Sequence, residues 1–267
     1  MYIRINDVDP VILAAGKTSE SLEAWKGIRE SSRLEVGGET MLSKTISAIV
    51  DAGFCTPLVV GIPDPTSSHM RWAAPEKGRD DLTDSIEIAL SRSDQTKEWL
   101  LISTVDMPFI TARVIQNFFE RSAEIDDKGW KIDIFYPVSP LESCEKACPG
   151  MKRSSLPIGS DAVSGGNLFL IRRKSVRTKW DWVLKAVEDR KKPWRLVKLV
   201  GGKALARILF AMLFKLRPPF QWAEDLIWDK VGLKAKVLLM HDPALVIDLD
   251  NETQWREYEA QHDSHSS

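Results

Sequence analysis

Val11-Ile12-Leu13-Ala14-Ala15-Gly16-Lys17 is the stretch whose reading decides the fold. An unbroken apolar run closing on two alanines and a glycine reads as a strand buried on both faces that feeds a loop able to approach a ligand closely. A second run, Ile102-Ser103-Thr104-Val105-Asp106-Met107-Pro108, ends on a carboxylate suited to hold a metal against that ligand. The two together point to a nucleotide site.

Outward from these runs the chain alternates. Apolar segments at 8–14, 57–62, 99–103 and 132–138 are short, rich in Val, Ile and Leu, and not strictly alternating, as strands covered on both faces should be. Helical stripes lie between them. Met41, Ile46, Ile49 and Val50 form one that stops at Gly53, and Leu82, Ile86, Ala89 and Leu90 form another. Val114, Ile115, Phe118 and Phe119 follow Thr111, an expected N-cap. This order predicts a three-layer α/β/α fold with a mostly parallel central sheet, in which ligands sit at the carboxyl ends of the strands. Gly16 and Asp106 both fall there.

The second half differs. Residues 139–164 mix prolines and glycines with polar groups and read as a long connection or a short hairpin. Ser164-Gly165-Gly166-Asn167 then turns into the apolar run 168–171, and 176–231 is helical in pattern and rich in tryptophan and basic residues. A final strand is expected over 245–249, delivering Asp248 and Asp250 ahead of a short helix with Trp255 and Tyr258. The expected division is a main domain at 1–172 with 234–262, a helical insertion or cap at 173–233 before the last strand, and a polar tail at 263–267.

Composition narrows the function classes. With 267 residues, 43% of them hydrophobic, and 37 basic against 38 acidic side chains, the chain can bury a sizeable core, and it exerts no bulk attraction on nucleic acid. Any phosphate must be held by a local cluster. Three cysteines without metal-site spacing, and an N-terminal stretch without an apolar signal core, make a cytoplasmic protein the expectation. The segment 204–217 is too short and too charged to span a bilayer. A buried helix of a small α-subdomain is favoured there over peripheral contact with a membrane.

Five motifs now stand in order: Leu13-Ala14-Ala15-Gly16; the segment from Arg33 to Leu42 with Gly37-Gly38; Val105-Asp106-Met107-Pro108; Gly165-Gly166-Asn167; and Ile247-Asp248-Leu249-Asp250-Asn251. In this order they resemble the MobA-like NTP transferases, nucleotidyltransferases of GT-A-type fold, over roughly residues 8 to 172 and 234 to 260. The resemblance implies a loop at Leu13, Ala14, Ala15 and Gly16 that wraps a triphosphate with backbone amides, with Lys17 adding charge. It implies a base-binding helix start between Gly78 and Ser85, magnesium held by Asp106 and Asp250, and an acceptor-facing turn at Gly165, Gly166 and Asn167. The chain departs from the family in the first loop, where a further glycine and a proline-lysine pair are replaced by the stretch from Lys17 to Arg33. Arg33 is the substitute for the family's lysine, ahead of Lys26 and Arg29. Catalytic roles therefore fall to Lys17, Arg33 and Asp106.

Each motif alone also has an ordinary reading. Ala-Ala-Gly can be only a tight turn, Asp106 can cap its own backbone, and Gly165-Gly166 can be a plain reversal. Asp248 and Asp250 alternate along the expected strand, so at most one should reach a shared metal, and Asp250 is the choice. The joint order carries the reading: a magnesium-dependent transfer of NMP from an NTP to a small phosphorylated acceptor, with release of pyrophosphate. The alternatives are a nucleotide-sugar-dependent glycosyltransferase, for which an Asp-x-Asp pair is missing at Thr104-Val105-Asp106, and a non-catalytic nucleotide-binding protein.

Overall fold

A computed structural model describes residues 3–62, 69–75, 82–151, 153–159, 161–188 and 217–262. In chain order the main elements are β1 (Val8–Ala14), α1 (Glu20–Lys26), β2 (Glu35–Val36), β3 (Glu39–Thr40), α2 (Met41–Asp51), β4 (Leu58–Gly61), β5 (Arg71–Ala73) and α3 (Leu82–Arg92). They continue with β6 (Trp99–Thr104), α4 (Ala112–Ile125), β7 (Ile134–Pro140), α5 (Leu141–Ala147), β8 (Leu156–Ile158), β9 (Asp161–Gly165) and β10 (Leu168–Arg172). The last are α6 (Arg173–Thr178), α7 (Trp180–Glu188), α8 (Phe220–Val231), β11 (Ala235–Leu239) and α9 (Glu252–His262).

Nine strands form one sheet in the order β5-β4-β1-β6-β10-β7-β9-β8, with β11 paired to β7. The pairs β5/β4, β4/β1, β1/β6 and β11/β7 are parallel, while β10 runs antiparallel between β6 and β7. Every residue of β1 is buried. Val8, Ile12 and Ala14 face the core cluster shared with α2, α4 and α9, whereas Val11 and Leu13 face the cluster shared with α3 and α7. Burial on both faces is why this strand is apolar without alternation. In β6 the same division sends Trp99 and Leu101 one way and Leu100 and Ile102 the other.

Helix starts follow their caps. The Thr40 hydroxyl accepts from the Ser43 amide at the head of α2, and Thr111 accepts from Val114 at the head of α4, as its position predicts.

One expectation is extended and another corrected. Residues 139–164 hold the short hairpin expected as one reading, β8–β9, and also a helix the sequence did not suggest, α5, ahead of it. The run 245–249 is not a strand. The sheet takes Ala235–Leu239 instead, parallel to β7, and Asp242 then caps a 3-10 turn at Pro243–Leu245 by accepting from the Ala244 amide at 3.1 Å. Leu245, Val246, Ile247 and Leu249 are at most 2% exposed, yet they have no ladder partner and cross the sheet's carboxyl end as a buried strap. Their apolar character comes from being covered, not from a pleat. The 204–217 segment lies outside the described residues apart from the exposed Arg217, and among the described residues no helix is long and apolar enough to cross a membrane.

One glycine fixes the geometry of the first loop. Gly61 at the end of β4 has φ 135°, and a Cβ there would lie 2.3 Å from the Ala14 carbonyl carbon and 2.5 Å from the Ala15 amide nitrogen. Gly61→Ala is therefore expected to lower stability by about 1–3 kcal/mol through backbone strain, and more if β1 is pushed aside. Urea denaturation against wild type checks this; an unchanged midpoint would contradict the close approach.

Candidate active site

Strands β1 and β6 pair in parallel with Leu13 opposite Thr104, so the segments leaving them, Ala14 to Lys17 and Val105 to Pro108, depart side by side from the same edge. Neighbouring strands lie about 4.8 Å apart, which sets the scale of the cleft. Leu13 and Ala14 are buried, Ala15 is half-buried, and Gly16 and Lys17 are exposed.

The first loop is closed by its own backbone. The Gly16 carbonyl accepts from the Ser31 amide at 3.1 Å, the backbones of Lys17 and Glu30 form an isolated antiparallel β-bridge, and the Thr18 amide donates to the Arg29 carbonyl at 2.8 Å. The intervening residues thus form a finger carrying α1, which begins where the Ser19 hydroxyl accepts from the Leu22 amide. Arg33 is exposed at the end of the 3-10 turn Ser31–Arg33, a short step beyond the Lys17–Glu30 bridge. Ser85 is buried in the first turns of α3, and Gly78 lies outside the described residues.

Across the cleft the carboxylates converge. One oxygen from each of Asp106, Asp248 and Asp250 lies within 4.8 Å of the others. Asp106 is half-buried, and its neighbours Val105 and Met107 are buried in the core cluster. The Thr104 hydroxyl donates to Asp106 Oδ1, and the Asp106 carbonyl accepts from the Leu249 amide at 3.3 Å, which brings the strap to the end of β6.

Asp248 comes within 4.8 Å of Asp106, as Asp250 does. Both reach Asp106, because alternation to opposite faces holds only along a pleated strand and this segment leaves the pleat. Asn167, expected at the acceptor turn, donates through Nδ2 to Asp248 Oδ2 at 3.3 Å. Its backbone is held on both sides, donating to the Leu245 carbonyl at 2.9 Å and accepting from the Thr104 amide at 3.0 Å. Gly165 and Gly166 allow that approach. A Cβ on Gly165 would lie 1.9 Å from the Tyr136 hydroxyl, and one on Gly166 would lie 2.8 Å from Pro137 Cγ.

Two participants were not expected from the sequence. Thr104 sits two residues before Asp106, a spacing at which a hydroxyl can reach a carboxylate, so its signal was present. Arg153, whose side chain meets Asp248 Oδ1 at 2.9 Å, gave none: it is a lone arginine in a glycine- and proline-rich stretch, and its partner lies far along the chain.

Burial, then the charge of Asp248, and to a lesser degree that of Asp250, pushes the Asp106 carboxyl up to about 6, against the lowering effect of the Thr104 hydroxyl. Three crowded carboxylates with oxygen donors only are the ligand set of a hard divalent cation such as magnesium. The residues fit that ion.

The MobA-like NTP transferase domain model matches residues 10–151, over half of the chain. The chain belongs to this family. The match ends just before Arg153, so Arg153, the strap and α9 lie outside the matched segment.

The fold is shared with solved nucleotidyltransferases. A hypothetical transferase structure from Thermus thermophilus aligns with a TM-score of 0.75 at 23% identity, covering 92% of this chain and 98% of that one. CMP:2-keto-3-deoxy-manno-octonic acid synthetase, solved with CTP, aligns at 0.60 with 11% identity, over 96% and 98%. The 2-C-methyl-D-erythritol 4-phosphate cytidylyltransferase of Thermus thermophilus aligns at 0.53 with 14% identity, over 95% and 98%. No curated protein matches the chain significantly in sequence.

The raised Asp106 carboxyl sets a sign for the metal-free protein. The native state binds this proton more readily than the unfolded chain, whose value is 3.8, so this group adds stability as pH falls through about 6 and has added all of it near 3.8. Asp106→Asn should stabilise the metal-free protein at about pH 7.5, keep about half of that advantage at about pH 5 and lose it near pH 3.8. Denaturation midpoints of both proteins in chelator across that range check it.

Proposed function

We propose that this MobA-like domain catalyses magnesium-dependent transfer of a nucleoside monophosphate from an NTP to a small phosphorylated acceptor. The observation that carries the reading is the three-carboxylate cluster beside the Ala14–Gly16 loop on adjoining parallel strands. In the reaction an acceptor phosphate oxygen attacks the α-phosphorus, the bond from that phosphorus to the bridging oxygen breaks, and pyrophosphate leaves with the electron pair. An acceptor that is already anionic at phosphate asks for no strong general base. The burden is positioning and charge neutralisation.

Each residue then has a task. The amides of Ala14, Ala15 and Gly16 cradle the triphosphate, for which a glycine-bearing strand end is suited. Lys17 and Arg33 offer positive charge from the exposed rim of that loop. Asp106 and Asp250, with Asp248, hold magnesium, which when bound supplies Lewis-acid neutralisation of phosphate oxygens. Ser85 and Gly78 border the base, and Gly165, Gly166 and Asn167 border the acceptor. The division into a transferase domain at 1–172 with 234–262 and a helical cap at 173–233 belongs to the same reading, as does a cytoplasmic location. The glycosyltransferase alternative is weakened by Thr104: where an Asp-x-Asp pair would place a second ligand, a hydroxyl donates to Asp106 instead.

Thermal shifts with ATP, GTP, CTP and UTP, with and without magnesium, test this on wild type and Asp106→Ala. A nucleotide at 100 times its Kd should stabilise wild type by ~2.7 kcal/mol, with the magnesium dependence lost in the variant. Pyrophosphate release from the selected NTP with a panel of sugar and alcohol phosphates then identifies the acceptor class. No shift with any nucleotide would overturn the proposal.

A further inference from the structure

The strap that carries Asp248 and Asp250 has an unusual problem. It is buried, has no neighbouring strand, and must present two carboxylates toward a third. Buried carbonyls without partners are costly, and like charges brought together push the segment outward.

Arg153 answers both needs. Its side chain is 7% exposed and reaches the strap from the segment between α5 and β8. Nη2 donates to the Val246 carbonyl and meets Asp248 Oδ1 at 2.9 Å, while Nη1 donates to the Asp248 carbonyl at 3.4 Å. One guanidinium thus takes two strap carbonyls and one carboxylate oxygen. The planar fork of arginine can bind several acceptors at fixed angles, which a lysine ammonium cannot do. Asn167 holds the other Asp248 oxygen, so the carboxylate is gripped from both sides.

We infer that Arg153 is a positioning residue of the metal site: it fixes the strap and the orientation of Asp248, and through them the spacing of the three carboxylates. The inference rests on the proposed metal-binding role of the cluster. It makes a prediction opposite in sign to simple electrostatics. A guanidinium beside the carboxylates repels an incoming cation, so if charge were its only effect, removing it would tighten divalent binding. If it positions, removing it weakens binding. Loss of a group that orients a metal ligand typically costs about 10–100-fold in metal affinity.

Manganese binding, followed by calorimetry and by the spin-resonance signal of the free ion, tests this on the full chain without nucleotide. Wild type, Arg153→Met, Arg153→Lys and Asp106→Asn are compared, with circular dichroism and melting curves to establish folding. Wild type should bind and Asp106→Asn should not. Arg153→Met should bind at least about tenfold more weakly, and Arg153→Lys, which keeps the charge without the fork, should also be weakened. If wild type takes up no manganese, the metal reading itself fails. If wild type binds and folded Arg153→Met binds equally or more tightly, the positioning role alone is overturned. Should Arg153→Met melt below the assay temperature, Arg153→Lys decides: wild-type affinity overturns the role, and a tenfold loss supports it.

Discussion

Three carboxylates whose oxygens lie within 4.8 Å repel one another, and the architecture around the cleft can be understood as what keeps them together. Asp106 is the fixed member, because it leaves β6, the strand at the centre of the sheet with parallel and antiparallel neighbours on its two sides. Asp248 and Asp250 are brought to it by a strap that crosses the strand ends. The strap is tied to β6 through the Leu249 amide and to the β9–β10 turn through the Leu245 carbonyl. Its apolar side chains supply the driving force: burying Leu245, Val246, Ile247 and Leu249 holds the segment down at roughly 1.5–3 kcal/mol per large side chain, enough to offset repulsion at a half-exposed site.

The same segment reaches the opposite wall. Directly beyond Asp250 the chain enters α9, where the Asp250 amide donates to Gln254 Oε1 and the Gln254 amide donates to Asn251 Oδ1. Helix α9 then packs on α1, the helix of the first-loop finger. Lys26 pairs with Glu259 and lies over the Trp25 ring at 4.2 Å, and Arg256 lies over that ring at 4.2 Å. The loop that departs most from the family pattern is therefore docked on the helix that follows two of the carboxylates. The first-loop finger is thus braced by contacts from α9.

How much of this was legible depended on whether the signal was local. Strands β1 and β6 were readable because burial on both faces forces an unbroken apolar run, α2 because an apolar stripe stops at a glycine, and α4 because a stripe follows a threonine cap. The strap was misread for a physical reason: an apolar run records that a segment is covered, and covered irregular backbone carries the same composition as a covered strand. Strand β11 was overlooked because Ala235-Lys236-Val237-Leu238-Leu239 follows a helix directly and shows no clear period. In the candidate site, motif order points to Asp106 and Asp250, whereas alternation along a strand would turn Asp248 away, and this segment is not a strand. Arg153 left no trace, since nothing local distinguishes an arginine that crosses the fold from one that faces water.

The charge balance of the cleft closes the argument. The chain as a whole is nearly neutral, with 37 basic and 38 acidic side chains, so no global field draws a triphosphate in. At the strand ends the carboxylates stand on the β6 side and the cationic side chains Lys17 and Arg33 on the side of the first loop. Arg153 meets the charge of Asp248 from the strap side, where its guanidinium is buried and also donates to strap carbonyls. Under the proposed function a polyphosphate would lie along the loop and would be disfavoured against the aspartates until their charge is met by a cation. This polarity restricts the orientation in which a nucleotide can lie, and it assigns the two walls different work. In the proposed reaction the loop would hold phosphate by amide and ammonium donors, and the carboxylate wall would accept phosphate only through an intervening divalent ion.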